Sequence, residues 1–310
     1  MEINRILVAG TIYNEMEKRI DSEQLEKSFR FMDSKAVTEE DLEWADAFIS
    51  FEPPENFDFY NLKWVHSLGA GVDRYLFNRK WKEDVLLTRT ICSFGERISQ
   101  YCLSYVLKDL QHHDTFEQVT RQKEWNPIAP GLLSEQKVLV YGTGEIGQEV
   151  GRAFSTLGAK VSGVSLSGHP KPHFEEVYKV TNEKNQLHNF DIIINTLPLT
   201  ENTYQLFNHD FFTKIKDTIF INVGRGRSVI QEALVGAIQN KQVRLAVLDV
   251  FAEEPLPEDS PLWQMQNVII TPHISAVTTV DEGLECFLET LHNIDQGKPL
   301  HNQVDTRKGY

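Results

Sequence analysis

The sequence predicts an α/β fold in two domains, the larger of them a doubly wound parallel sheet. Three observations predict it. The chain has 310 residues, enough for two separate cores. From Lys137 onward, short apolar runs alternate with longer amphipathic runs, the pattern of parallel strands joined by crossover helices. Between the first such strand and helix lies Val140-Tyr141-Gly142-Thr143-Gly144-Glu145-Ile146-Gly147, with glycines at G-x-G-x-x-G spacing.

Taken in order, 6–9, 47–50, 62–67 and 85–88 read as strands of a small first unit. A helical pattern over 99–125 follows, with Leu103, Val106, Leu107 and Leu110 on one face, closed by Asn126-Pro127 and Pro130-Gly131. The second unit has predicted strands at 137–141, 160–165, 177–180, 191–196, 218–223, 243–249 and 267–271. Its predicted helices are 146–157, 208–215 and 230–240. A last helical pattern over 277–294 leads into a polar tail too short to be a domain, so it is expected to return to the first unit. The predicted division is 1–98 with 276–310, and 99–275. A ligand site is expected in a cleft between two such domains.

Composition narrows the partners. The net charge is −14 and disfavours nucleic acid and anionic membranes. No apolar stretch is long enough for a membrane span. The N-terminus runs straight into a strand without a signal-peptide pattern. Cys92, Cys102 and Cys286 are widely spaced, which argues for a reducing cytoplasm and against disulfides or a metal site.

The glycine motif carries the first chemistry. Gly142 permits a tight turn, Gly144 lets backbone approach a phosphate, and Gly147 lets the helix pack on the strand. The helix N-terminus adds N–H donors and a positive dipole end. Gly142, Thr143, Gly144, Glu145, Ile146 and Gly147 are thus expected to hold a dinucleotide pyrophosphate. Three later strands end in reactive side chains. Arg225, between two glycines, offers a planar fork suited to a carboxylate; Arg227 reads as an ordinary surface residue. Glu254 precedes Pro255, with Glu253 the alternative acid. His273 lies just past a strand and is the natural acid/base near neutral pH, which a neighbouring carboxylate would orient. With a nicotinamide cofactor, this set reads as reversible reduction of a 2-keto acid to a 2-hydroxy acid.

The stretches LGAGVDRY (68–75), GTGEIG (142–147), NTLPLT (195–200), INVGRG (221–226), DVFAEEPLP (249–257), SPLW (260–263) and NVIITPH (267–273) resemble the D-isomer-specific 2-hydroxyacid dehydrogenase family. The flavour is that of its glyoxylate/hydroxypyruvate reductases. The resemblance implies a Rossmann-type cofactor domain and a smaller flavodoxin-like α/β substrate domain. It also implies that Arg225 binds substrate, His273 donates the proton and Glu254 tunes it. Gly69, Ala70, Gly71 and Val72, with Arg225 and His273, would bind substrate, backbone N–H groups of the turn holding its carboxylate. Leu197, Pro198, Thr203, Val223, Gly224, Arg225, Asp249, His273 and Ser275 would line the cofactor. A homodimer through the cofactor domain is implied, with the helix near 99–125 contributing.

Two departures stand out. Family members using NAD usually end the second strand of the cofactor domain with an acid that binds the ribose 2′-hydroxyl; here that position is Ser165. With no acid there, Ser165, Ser167, His169 and Lys171 could meet a 2′-phosphate, which favours NADP(H) over NAD(H). Leu166 stands where NADP-using relatives often carry arginine. Ser99-Gln100-Tyr101 replaces a common Ala-Glu-Tyr. Alternative readings are a phosphoglycerate dehydrogenase, a formate-type dehydrogenase, and a nucleotide-sensing regulator on the same fold, as in the C-terminal-binding-protein corepressors.

Overall fold

Strands covered on both faces are continuous apolar runs, and the central strands of both sheets have this character. The computed structural model describes residues 1–20, 25–55, 57–180 and 182–310. It divides into two compact units, Met1–Cys92 with Thr278–Tyr310, and Ser93–Val277. The boundaries thus fall at 92/93 and 277/278 rather than at the expected 98/99 and 275/276; the first is earlier because the helix predicted from Ser99 already begins at Phe94.

The first unit contains β1 (Arg5–Ala9), α1 (Tyr13–Ile20), β2 (Ser28–Met32), α2 (Glu39–Trp44), β3 (Ala47–Ser50), β4 (Trp64–Ser67), α3 (Asp73–Leu76) and β5 (Leu86–Arg89). Among the described residues the strands form a five-stranded parallel sheet in the order β2-β1-β3-β4-β5, the flavodoxin-like arrangement. Sequence reading misses β2. It is an edge strand whose alternating Phe29 and Phe31 stack on one face while Arg30 pairs with Asp41 on the other. The late helix (Val280–Asp295) does return to this unit, opening on a capping box between Thr279 and Glu282. Its Leu284, Phe287, Leu291 and Ile294 join Ile6, Val8, Ile49 and Trp64 in one core.

His66 lies fully buried on β4, and that burial pushes its pKa down to about 3 from 6.5. Folding therefore favours the neutral ring, and the unfolded chain binds the proton more tightly. The stability held by this group is complete above about pH 6.5 and is lost as pH falls from there toward about 3. Between about pH 7 and about pH 4.5 the loss is on the order of 3 kcal/mol. Urea midpoints measured over that range should fall more steeply in the natural chain than in His66→Gln. Parallel slopes would mean that other groups govern the acid limb.

The second unit contains α4 (Phe94–Leu110), α5 (His113–Gln122), β6 (Lys137–Tyr141), α6 (Glu145–Thr156), β7 (Lys160–Ser165), β8 (Glu176–Lys179), β9 (Ile192–Asn195), α7 (His209–Phe212), β10 (Thr218–Asn222), α8 (Gln231–Gln239), β11 (Val243–Leu248) and β12 (Val268–Ile270). The late helix of the first unit, Val280–Asp295, is α9. The single helix expected over 99–125 is two helices. His112 adopts the left-handed region at φ 54°, and Lys123 at φ 58° ends α5 before the proline. Among the described residues the sheet is seven-stranded and parallel, in the order β12-β11-β10-β9-β6-β7-β8. Strand order reverses direction between β6 and β9, so a switch point lies at the carboxyl end of β6, where the glycine motif begins. Gly95 lets α4 approach α6: a Cβ there would lie 2.8 Å from the Glu149 Cβ. No described helix is long and apolar enough to cross a membrane.

Candidate active site

The turn after β6 is shaped by what its glycines allow. Gly142 takes φ 95°, and a Cβ on it would lie 2.7 Å from Thr196 Oγ1. A Cβ on Gly147 would stand 1.8 Å from the Gly142 carbonyl oxygen, so only glycine lets α6 sit against the strand end. At Gly144 a Cβ would meet nothing within 4 Å. Gly144 is also the N-cap of α6, and no side chain caps that helix. An open face over uncapped helix N–H groups matches what a pyrophosphate requires, so these residues fit a dinucleotide. Thr143 is buried against Gly163, and Ile146 packs into the core beneath the sheet, so the turn rests on a rigid base.

The carboxyl ends of β9 and β10 build the arginine loop. Asn195 donates from Nδ2 to Asn222 Oδ1 (2.8 Å) and to Ser228 Oγ (2.9 Å). Asn222 accepts from the Gly224 N–H at 3.2 Å and donates to the Arg225 carbonyl at 3.3 Å. Ser228 donates to the same carbonyl at 2.6 Å. All three polar side chains are buried, so each bond is formed away from water and holds the loop firmly. The glycines flanking Arg225 serve close approach. A Cβ on Gly224 would lie 2.7 Å from the Leu197 carbonyl oxygen, and one on Gly226 would lie 1.8 Å from the Phe251 carbonyl carbon. Arg225 is half-buried, with Nη1 donating to the Gly224 carbonyl at 2.8 Å. Arg227 is exposed, in keeping with its surface reading.

The ends of β11 and β12 carry the acid and the histidine. His273 Nδ1 is 2.9 Å from Glu254 Oε2, while Glu254 Oε1 accepts the Phe251 N–H at 2.9 Å. A carboxylate can only accept, so Nδ1 carries a hydrogen toward Glu254, and Nε2 is the ring atom left for proton exchange. His273 has φ 55°, an uncommon conformation for a side chain of its size. It is held there by its N–H donating to the Asp249 carbonyl at 2.9 Å. The Asp249 carboxylate is fully buried and accepts from Thr271 Oγ1 (2.5 Å), Ile274 N–H (2.8 Å) and Ser275 N–H (2.9 Å). Because Thr271 donates to Asp249, the Tyr101 hydroxyl, 2.6 Å away, must donate to Thr271. Burial holds that phenol well above its ordinary range, so it keeps the proton it donates. The neighbouring Ser99 is buried and donates within its own helix to the Gly95 carbonyl at 2.6 Å.

At the end of β7, Ser165 Oγ accepts the Gly168 N–H at 3.0 Å and Ser167 Oγ accepts the His169 N–H at 3.3 Å. Leu166 and Ser167 are exposed on this turn, which carries no acid from 165 to 171. Of the other expected cofactor residues, Leu197, Val223 and Ser275 are buried beside the strand ends. Thr203 donates to the Pro198 carbonyl at 2.6 Å and so closes the loop after β9.

In the first unit, the turn Gly69-Ala70-Gly71-Val72 follows β4. Ser67 Oγ accepts the Gly69 N–H at 3.3 Å and lies 3.1 Å from the Gly71 carbonyl, to which it donates. Among the described residues no acceptor is bonded to the Ala70 or Gly71 N–H. Sequence reading misses Ser67, Tyr101, Asn195, Asn222, Ser228 and Thr271. The legible signal is an amide or hydroxyl closing an apolar strand, at Asn195, Asn222 and Thr271.

Residues 103–275 match the family model for the D-isomer specific 2-hydroxyacid dehydrogenase, NAD binding domain. The chain is 31% identical over 279 residues to glyoxylate/hydroxypyruvate reductase A of Citrobacter koseri, spanning 87% of this chain and 89% of that one. It is similar to the NADPH-dependent glyoxylate/hydroxypyruvate reductase of Sinorhizobium meliloti, solved with NADP and sulfate, at TM-score 0.88 and 28% identity over 99% of this chain and 100% of that one. A D-isomer specific 2-hydroxyacid dehydrogenase of Xanthobacter autotrophicus, solved with NADPH and MES, gives TM-score 0.87 and 30% identity over 100% of both chains. With the glycine turn, the parallel sheet and these likenesses in agreement, the chain belongs to the D-isomer specific 2-hydroxyacid dehydrogenase family.

Proposed function

We propose that this protein reduces a small 2-keto acid of the glyoxylate or hydroxypyruvate class to the D-2-hydroxy acid, using NADP(H) in preference to NAD(H). The observation that carries the reading is the 2.9 Å His273–Glu254 pair beyond the carboxyl ends of β12 and β11, next to the β10 end that leads into Arg225. Backbone N–H groups at 143–147 would hold the pyrophosphate, with Leu197, Pro198, Thr203, Val223, Gly224, Asp249 and Ser275 lining the rest of the dinucleotide. The reduced nicotinamide, when bound, supplies a hydride. Arg225 grips the keto acid through its guanidinium and polarises the carbonyl. His273 gives the Nε2 proton to the developing alkoxide, and Glu254 stabilises the imidazolium beforehand and holds the ring in one orientation. The Ala70, Gly71 and Val72 N–H groups anchor the substrate carboxylate. The experiment is loss of reduced-nicotinamide absorbance with glyoxylate and with hydroxypyruvate, using NADPH and NADH separately. Turnover is expected, faster with NADPH; a protein that binds NADPH yet reduces neither acid overturns the reading.

The cofactor preference rests on the acid-free turn after β7 and on relatives solved with NADP or NADPH. Ser165→Asp should place a carboxylate against a 2′-phosphate and shift the NADPH-to-NADH ratio of kcat/KM toward NADH by about tenfold or more. An unchanged ratio puts cofactor selection elsewhere. A homodimer through the second unit is part of the proposal. No residue of α5 is buried, its Phe116 and Val119 are half-buried on an otherwise polar helix, and Trp125 beyond it is 97% exposed, an apolar anchor suited to a second copy.

A further inference from the structure

A chain of buried polar groups runs along β4 and β5 into the turn at 69–72. His66 faces Thr88 in register across the two strands. Trp64 Nε1 donates to Thr88 Oγ1 at 2.8 Å, and His66 Nδ1 lies 2.8 Å from the same oxygen. His66 Nε2 lies 3.2 Å from Thr90 Oγ1, which donates to the Ser67 carbonyl at 3.2 Å. Trp64, His66, Ser67, Thr88 and Thr90 are all completely buried.

Donor counting fixes the direction of every bond. The indole N–H can only donate, and the Thr90 hydrogen is committed to the Ser67 carbonyl. Thr90 Oγ1 must then accept from His66, so Nε2 carries the ring hydrogen. Nδ1 has none and accepts from Thr88, which in turn accepts from Trp64. The chain therefore reads Trp64 to Thr88 to His66 to Thr90 to Ser67, with one hydrogen per link and none left over. A second ring hydrogen would meet the Thr88 oxygen and leave that hydroxyl without its acceptor. The downward shift of His66 through burial agrees with a neutral ring.

The end of the chain is the start of the anion-binding turn. Ser67 is pinned at its carbonyl by the Thr90 backbone N–H at 2.8 Å and, as a second bond, by the Thr90 hydroxyl, and it pins Gly69 and Gly71 through its own hydroxyl. The next residue is clamped on both sides: Leu68 N–H donates to the Ser50 carbonyl at 3.1 Å, and the Leu68 carbonyl accepts from Thr278 Oγ1 at 2.9 Å. Apolar side chains would fill this part of the core without any such alignment. A fully satisfied buried network instead specifies one geometry.

We propose that His66, as the neutral Nε2–H tautomer, is a positioning residue that acts through Thr90 and Ser67 to hold the 69–72 turn ready for the substrate carboxylate. The inference rests on the proposed keto-acid reading of that turn.

Removing the imidazole would strand Thr88 and Thr90 in a closed core, so Thr90→Val, similar in shape to threonine, carries the test, with Thr90→Ser as the restoring variant. Kinetics with glyoxylate, an NADPH binding constant and a melting temperature are measured for all three proteins. Thr90→Val is expected to raise KM for glyoxylate by about tenfold, the effect of one lost buried hydrogen bond, with kcat and NADPH affinity within about twofold. Thr90→Ser is expected to return KM to within about twofold of the natural value. A folded Thr90→Val with unchanged KM overturns the proposal alone. So does a loss confined to kcat that tracks the melting temperature, which marks a structural role. A natural protein that binds NADPH but reduces no keto acid overturns the functional reading, and this inference with it.

Discussion

His273→Asn is expected to lower kcat by about 10²- to 10⁴-fold while NADPH affinity stays within about twofold. Asparagine keeps a polar group of similar reach toward Glu254 but cannot carry a proton to the substrate oxygen near neutral pH. The loss should fall on kcat, because proton donation develops only in the transition state. The backbone N–H of His273 donates to the Asp249 and Thr271 carbonyls whatever the side chain, so replacing the ring loses only the 2.9 Å contact with Glu254 and leaves the loop's other anchors intact. Stopped-flow absorbance and nucleotide titration on one preparation separate the two quantities. Turnover within about tenfold of the natural rate would remove His273 from the proposed chemistry.

Arg225→Lys is expected to lower kcat/KM for the keto acid by about 10- to 100-fold, although the charge is kept. An ammonium is a point donor and cannot make the paired contacts of a planar fork with a carboxylate and its neighbouring carbonyl. The loop should survive, because Asn222 and Ser228 hold the Arg225 carbonyl rather than its side chain. Steady-state kinetics with glyoxylate, alongside a melting curve, read the effect. Unchanged kcat and KM in a folded variant would show that the guanidinium does not grip substrate.

What was legible in the sequence follows from how much of each feature is local. The central strands of the second sheet are nearly continuous apolar runs, and the glycine turn is one short motif, so both could be read directly. The three reactive side chains were legible because each follows the carboxyl end of an apolar strand, and the three strands are neighbours. Strand β2 was hidden because an edge strand with a charged arginine between its two phenylalanines lacks the apolar run of a central one. The break at His112 was hidden because a left-handed residue other than glycine has no strong sequence mark. The supporting polar groups were least legible. Asn195 and Asn222 are far apart in sequence, and only strand pairing between β9 and β10 makes them partners. Ser67 and Thr90 likewise meet only because β4 lies beside β5.

Hydride delivery to a 2-keto acid with D outcome leaves its mark on the product itself. Hydroxypyruvate is reduced with NADPH carrying deuterium at the transferred C4 position, and the glycerate formed is analysed for label and configuration. One deuterium at C2 of D-glycerate is expected. Unlabelled product, L-glycerate, or no product from protein that binds NADPH would contradict it.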